Sequence, residues 1–164
     1  MQTFLPYQDF QLSAKVLDWR RLGKQRVEAK QLMMALTGAK SGWVNHPATK
    51  MWRGHEKALA QYWLTMCQEW KGRGYVDNLG VEAQAALNSM ISKDVVYPWW
   101  LGYESFHAAH RSNLLRKDPV FYGRYGWHES NDLEYLWPVD GRMIVGSESA
   151  RKRASVLPAI ISHG

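Results

Sequence analysis

The chain has 164 residues, 46% of them hydrophobic, and a formal net charge of +6. That length suits one domain with its own core, and the apolar share excludes a disordered chain. The positive balance favours an anionic partner, of which nucleic acid is the commonest; a membrane surface would need a basic amphipathic helix with an uncovered apolar face.

The spacing predicts a first helix over 11–36, stopped by Thr37-Gly38. On a helical wheel, Leu12, Val16, Trp19, Gly23, Val27 and Met34 form one apolar stripe. Leu22, Ala29, Met33 and Leu36 form a second beside it. Arg20, Arg21, Lys24, Glu28 and Gln31 share a separate face, and Arg26 is the fourth cation of "RRLGKQRVE". Cations on a rigid helix hold phosphates, and Arg does so as a bidentate fork. One carboxylate in that field, Glu28, is placed to move a proton or to stabilise a cationic sugar. The plain alternative is a solvated face with a Lys24–Glu28 pair four residues apart.

A second helix is predicted to start at "NHPATKMW", with Pro47 in its first turn, and to end at Gly72-Arg73-Gly74. A third covers roughly 81–93 and a fourth roughly 103–117, ending before Asp118-Pro119. In the stretch that follows, "DPVFYGRYGW" reads as a loop or turn. Together with the end of the fourth helix it interleaves Arg111, Arg116, Lys117 and Arg124 with Phe121, Tyr122, Tyr125 and Trp127. Such a mixture suits phosphates and displaced bases, and equally an aromatic turn that closes a core. Among strand signals "GRMIVG" is the best, and "SESARKRASVLPAIISHG" reads as a tail or small docking segment. The class is therefore mainly α.

His107 and His110 have an HxxH spacing, and His55-Glu56 lies on another helix. A metal site needs further ligands, so helix-surface histidines or a phosphate contact from His110 are expected, and no metal. No P-loop, GxGxxG or GxSxG occurs. The single Cys67 forms no internal disulfide and fits a reducing compartment. No window approaches ~20 apolar residues, so no membrane span is expected. The start "MQTFLPYQDF" lacks the layout of a signal peptide.

Three segments together resemble the pyrimidine-dimer DNA glycosylases, the endonuclease V-like repair enzymes known from phages. They are "LDWRRLGKQRV", "HPATKMWRGHEKALAQYWLTMCQEWKGRGY" and "HRSNLLRKDPVFYGRYG", in that order and reaching to about Trp127. The resemblance implies an all-α helical domain over 1–127, with 128–164 as an extension packed on it or partly flexible. It implies a monomer in the cytoplasm of a bacterial or phage-infected cell, without metal or redox cofactor. Its substrate is duplex DNA carrying a pyrimidine dimer or another altered pyrimidine.

In that family the α-amino group forms an imine with sugar C1′, a Glu on the first helix assists, and the strand is then nicked by β-elimination. An α-amino group, with a reference pKa of about 7.7–8.0, is partly neutral near pH 7. Base flipping gives access to the bond. Here Gln2 follows Met1, a bulky neighbour that keeps Met in place, so the amine is that of Met1. An ungapped match puts the family's Glu at Arg21. The nearest carboxylates are Asp18, which points elsewhere on the wheel, and Glu28. Glu28 is on the Arg21 face, about 10 Å along the axis.

The resemblance thus assigns Glu28 as the acid and Met1 as the nucleophile. Arg20, Arg21, Lys24, Arg26, Arg111, Arg116, Lys117 and Arg124 would hold phosphates, and Tyr122 and Tyr125 would shape the lesion pocket. Two alternatives stand beside it: a transferase acting on a modified, flipped pyrimidine without cleavage, and a non-catalytic nucleic-acid-binding module.

Overall fold

In a computed structural model the described residues are 1–39, 41–146 and, for backbone alone, 159–161. The cluster Arg151-Lys152-Arg153 lies outside them. The described chain is mostly helical and divides into two compact units. One holds residues 1–4 and 9–98; the other holds 5–8 and the residues from 99 on. Among the described residues no helix is long and apolar enough to cross a membrane.

The first unit contains α1 (Phe10–Val16), α2 (Trp19–Leu36), α3 (Pro47–Trp52), α4 (Glu56–Gly72) and α5 (Gly80–Ser89). The single helix expected over 11–36 is therefore two. Asp9 caps α1 by accepting the Leu12 N–H at 2.9 Å, and Leu17 then turns extended. The break has a packing cause. In one straight helix positions 17 and 22 would point about 140° apart, yet both leucines are fully buried. The second expected helix is also two, because Gly54 takes a left-handed φ of 86° between α3 and α4. Its end falls where expected, at Gly72, with Gly74 left-handed. The third and fourth helices lie close to their expected spans.

Helix α4 is the hub on which α1, α2 and α5 pack. The core beneath α2 contains Leu22, Leu32, Trp52, Leu59, Tyr62 and Met66. Of the two stripes read from α2, this is the second one. The first is largely exposed at Trp19, Val27 and Met34. The buried arc centres on Gln25 and Ala29, and Val27 and Met34 fall well outside it.

The second unit contains α6 (Glu104–Lys117), α7 (Pro119–Tyr122), a 3₁₀ turn (Gly123–Tyr125) and an antiparallel sheet. The segment read as a loop is thus a short helix, capped by the Asp118 side chain on the Phe121 N–H at 3.0 Å, followed by that turn. Beyond Trp127 the described chain is not simply irregular: β1 (Leu136–Val139), β2 (Arg142–Val145) and β3 (Ala159–Ile161) pair in the order β1-β2-β3. Strand β2 is the "GRMIVG" signal. Asp140 and Gly141, both at positive φ, make the two-residue turn that leads into it. Pro138 is tolerated because β1 is an edge strand.

Candidate active site and nucleic-acid interface

The first four residues lie against α2, and one side chain on α2, Gln25, holds them. The Gln25 carboxamide accepts the Phe4 N–H at 2.9 Å and donates to the Gln2 carbonyl at 2.8 Å. It thereby does what a neighbouring β-strand does for a backbone. Trp52 donates its indole N–H to the Thr3 hydroxyl at 3.0 Å. The Tyr62 hydroxyl reaches the Gln25 amide oxygen at 2.5 Å and the Phe4 carbonyl at 2.9 Å. Burial first, and then the charge of Glu28, push the Tyr62 phenol well above its ordinary pKa, so it remains a donor.

Glu28 stands one turn beyond Gln25, half-buried at the edge of the α2 core arc. Its Oε2 accepts the backbone N–H of Gln2 at 3.2 Å and the Gln25 amide at 3.3 Å. The carboxylate is therefore one residue from the N-terminal amine. Asp18 is occupied otherwise: it precedes α2 and pairs with Arg21 at 3.1 Å. Of the two carboxylates nearest to Arg21 in sequence, the fold puts Glu28 against the N-terminal segment at Gln2.

The cations of α2 do not all face outward. Arg20 and Lys24 are exposed, and Arg20 lies 5.3 Å from the Trp19 ring centre. Arg26 is buried and bridges Asp77 at 2.7 Å and Asn78 at 3.1 Å, under the Trp70 ring. Burial works against the Asp77 charge, but hydrogen bonds from Arg26 and from the N–H groups of Leu79 and Gly80 outweigh it and hold the carboxyl below its ordinary pKa. Arg26 is thus a structural cation, because a buried guanidinium satisfied by protein acceptors has no fork left for phosphate. Burial, followed by Asp77, pushes the Cys67 thiol up to about 12, so it is no nucleophile.

In the second unit the pattern is more inward still. His107 donates from Nδ1 to the Leu5 carbonyl at 2.8 Å and accepts the Gly102 N–H at 2.9 Å. His110 accepts the Leu5 N–H on Nδ1 at 2.8 Å and is fully buried. Burial lowers the pKa of both rings. The expected phosphate contact from His110 therefore gives way to a backbone clamp: the HxxH spacing puts two neutral imidazoles on one residue. Among the described residues no group of three or more His, Cys, Asp or Glu forms a metal cage.

Arg111 is also buried. It donates to Glu129 at 2.5 Å, to the Pro6 carbonyl at 2.8 Å and to Glu104. Its predicted role as a phosphate ligand yields to these acceptors. Tyr122 is fully buried and stacks on Trp127 at 5.8 Å, so it is core rather than a lesion wall. Tyr125 is half-buried against the same tryptophan. Arg116 is exposed but bonded to the Asn131 carbonyl at 2.9 Å; Lys117 is exposed, and exposed Arg124 covers the Phe121 ring at 4.1 Å.

Sequence reasoning missed Gln25 and Asp77. Gln25 had a legible signal: it is a polar residue inside the apolar stripe of Leu22 and Ala29. Asp77 had none, since its partner is 51 residues away.

A family model described as pyrimidine dimer DNA glycosylase matches residues 1–83. That span contains the N-terminal segment, Gln25, Glu28 and the whole of α2, and it ends ahead of "HRSNLLRKDPVFYGRYG". No curated protein and no solved structure matches the chain significantly. The match covers half of the sequence, on the half that holds the carboxylate and the N-terminus: the chain belongs to the pyrimidine dimer DNA glycosylase family.

Proposed function

We propose that this protein cuts the glycosidic bond of a pyrimidine dimer in duplex DNA and then nicks the strand through an imine. The N-terminal amine is the nucleophile and Glu28 the acid–base residue. One observation carries the reading: the Glu28 carboxylate accepts the N–H of Gln2 at 3.2 Å, beside the amine.

The chemistry balances with these two groups. The neutral amine attacks C1′, and the C1′–N bond breaks with its electron pair going to the base, which takes up one of the two amine protons. The second amine proton passes to the ring oxygen as the sugar opens, which gives the imine. Glu28, as carboxylate, stabilises the positive charge that develops on the sugar and takes the C2′ proton in the elimination that expels the 3′ phosphate. Water then hydrolyses the imine and returns the amine. Arg20 and Lys24 hold phosphates on the outer face of α2. Arg21, turned toward Asp18, is not the proton carrier that the position in the family would require.

Borohydride trapping tests the proposal. On a UV-irradiated, end-labelled duplex the protein is expected to give a covalent band that an undamaged duplex lacks, with the crosslink on the N-terminal residue. Binding without band or nick overturns it in favour of a transferase or a plain DNA-binding module.

A further inference from the structure

The Gln25 carboxamide makes more bonds than the N-terminal segment needs. Two of them hold the segment: Oε1 on the Phe4 N–H and Nε2 on the Gln2 carbonyl. Those backbone groups also fix which end of the amide is which, since an N–H must meet the oxygen and a carbonyl the nitrogen. The other two bonds lead away from the segment. Oε1 also accepts from Tyr62 on α4, and Nε2 also donates to Oε2 of Glu28. Gln25 is 1% exposed and Tyr62 is fully buried, so the chain from Tyr62 through Gln25 to Glu28 runs out of the core to a half-buried carboxylate.

A phenylalanine at position 62 would fill the same space without burying a hydroxyl, which destabilises the fold until it is bonded. Tyr62 has one proton, and the shorter bond, 2.5 Å to Gln25 against 2.9 Å to the Phe4 carbonyl, takes it. A donor on Oε1 polarises the carboxamide and strengthens its N–H groups as donors. On Glu28 the Gln2 N–H and the Gln25 amide meet the same oxygen, Oε2, at 3.2 Å and 3.3 Å. Two donors on one oxygen set the orientation of the carboxylate and leave Oε1 for the substrate. A base oriented by a third group is the arrangement that proton transfer needs. We propose that Gln25 and Tyr62 are positioning residues for Glu28: they anchor Oε2 so that Oε1 is the oxygen that takes the C2′ proton. The inference rests on the proposed role of Glu28 and adds the groups that aim it.

The test is single-turnover nicking of a UV-irradiated duplex by the full chain, with equilibrium binding and amide hydrogen exchange beside it. Tyr62→Phe is expected to slow nicking about tenfold, the scale of a slightly misplaced catalytic group. Its Kd for the duplex should stay at the wild-type value, and exchange of the Gln2 amide should quicken. Thr49→Val removes another fully buried hydroxyl, one bonded to the Trp43 carbonyl at 2.6 Å, and controls for lost stability. It should nick at the wild-type rate and leave Gln2 exchange where it was. Undiminished nicking by Tyr62→Phe overturns the proposal, and so does equal slowing in both variants. A wild-type protein that forms no imine instead overturns the proposed function, and Gln2 exchange then decides alone. Faster exchange in Tyr62→Phe only supports the orienting chain, and exchange equal to wild type overturns it.

Discussion

Phe4 and Leu5 are neighbours in sequence, and their amides are held in two different ways. In the first unit the Phe4 N–H goes to the Gln25 carboxamide, which does not titrate. In the second the Leu5 N–H goes to the His110 imidazole, which does, and the Leu5 carbonyl goes to His107. One clamp is indifferent to acid and the other depends on two buried rings staying neutral. The same contrast runs through the charges. In the first unit Arg20 and Lys24 face outward and Glu28 meets the N-terminal segment, whereas in the second Arg111 spends its donors on Glu104, Glu129 and Pro6. Cations that look alike in sequence are therefore a candidate working surface at Arg20 and Lys24 and scaffolding at Arg111.

The largest expected effect separates these roles outright. Glu28→Gln should lower strand cleavage by about 100-fold or more, the scale of a lost acid–base group, while binding and thermal midpoint stay close to wild type. Cleavage at the wild-type rate would remove Glu28 from the chemistry and with it half of the contrast. Arg111→Ala is expected to act the opposite way. It strands Glu129 and the Pro6 carbonyl and should cost about 3 kcal/mol in urea unfolding. A stable variant with weakened DNA binding would show that Arg111 belongs to the working surface after all.

Gln25→Ala should combine a smaller version of both effects. It leaves the Phe4 N–H and the Gln2 carbonyl without their partner, for about 1–3 kcal/mol, and loosens the segment beside Glu28, so cleavage should fall along with stability. The smallest effect is the most pointed. The folded pKa values of His107 and His110 are lowered, so their stabilising contribution is complete above the unfolded value of about 6.5 and is lost as pH falls through the folded values. Asp77 has the same sign, but its window opens only below about 3.9. Between those limits, hydrogen exchange should show Leu5 losing protection while Phe4 keeps it. Parallel loss at both amides would erase the difference between the clamps.

How much of this was legible follows from what each signal depends on. Local signals read well: Thr37-Gly38, Gly72 to Gly74 and Asp118-Pro119 end helices by backbone preferences that need no partner. The faces of α2 read half correctly. Periodicity offered two apolar stripes and could not choose between them, since the choice is made by the distant segments that bury Leu22, Ala29 and Met33 and leave Trp19, Val27 and Met34 exposed. Glu28 was legible as a lone acid among cations, but its contact with Gln2 was not, because the hydrogen bond spans 26 residues. The misread cations fail for one reason. Arg26 and Arg111 find their acids at Asp77 and Glu129, and no spacing rule reaches so far. The phosphate contact expected of His110 fails because the partner of His107 and His110 is a backbone, which a sequence never displays.

The Leu5 amide has one more use. Its proton lies between two nitrogens, its own and Nδ1 of His110, 2.8 Å apart. In uniformly ¹⁵N-labelled protein such a bond transmits scalar coupling from nitrogen to nitrogen, which amide-to-carbonyl bonds do not offer. Leu5 thus carries its own spectroscopic label. A single cross-peak reports whether the imidazole holds the segment, with no probe attached and no residue replaced.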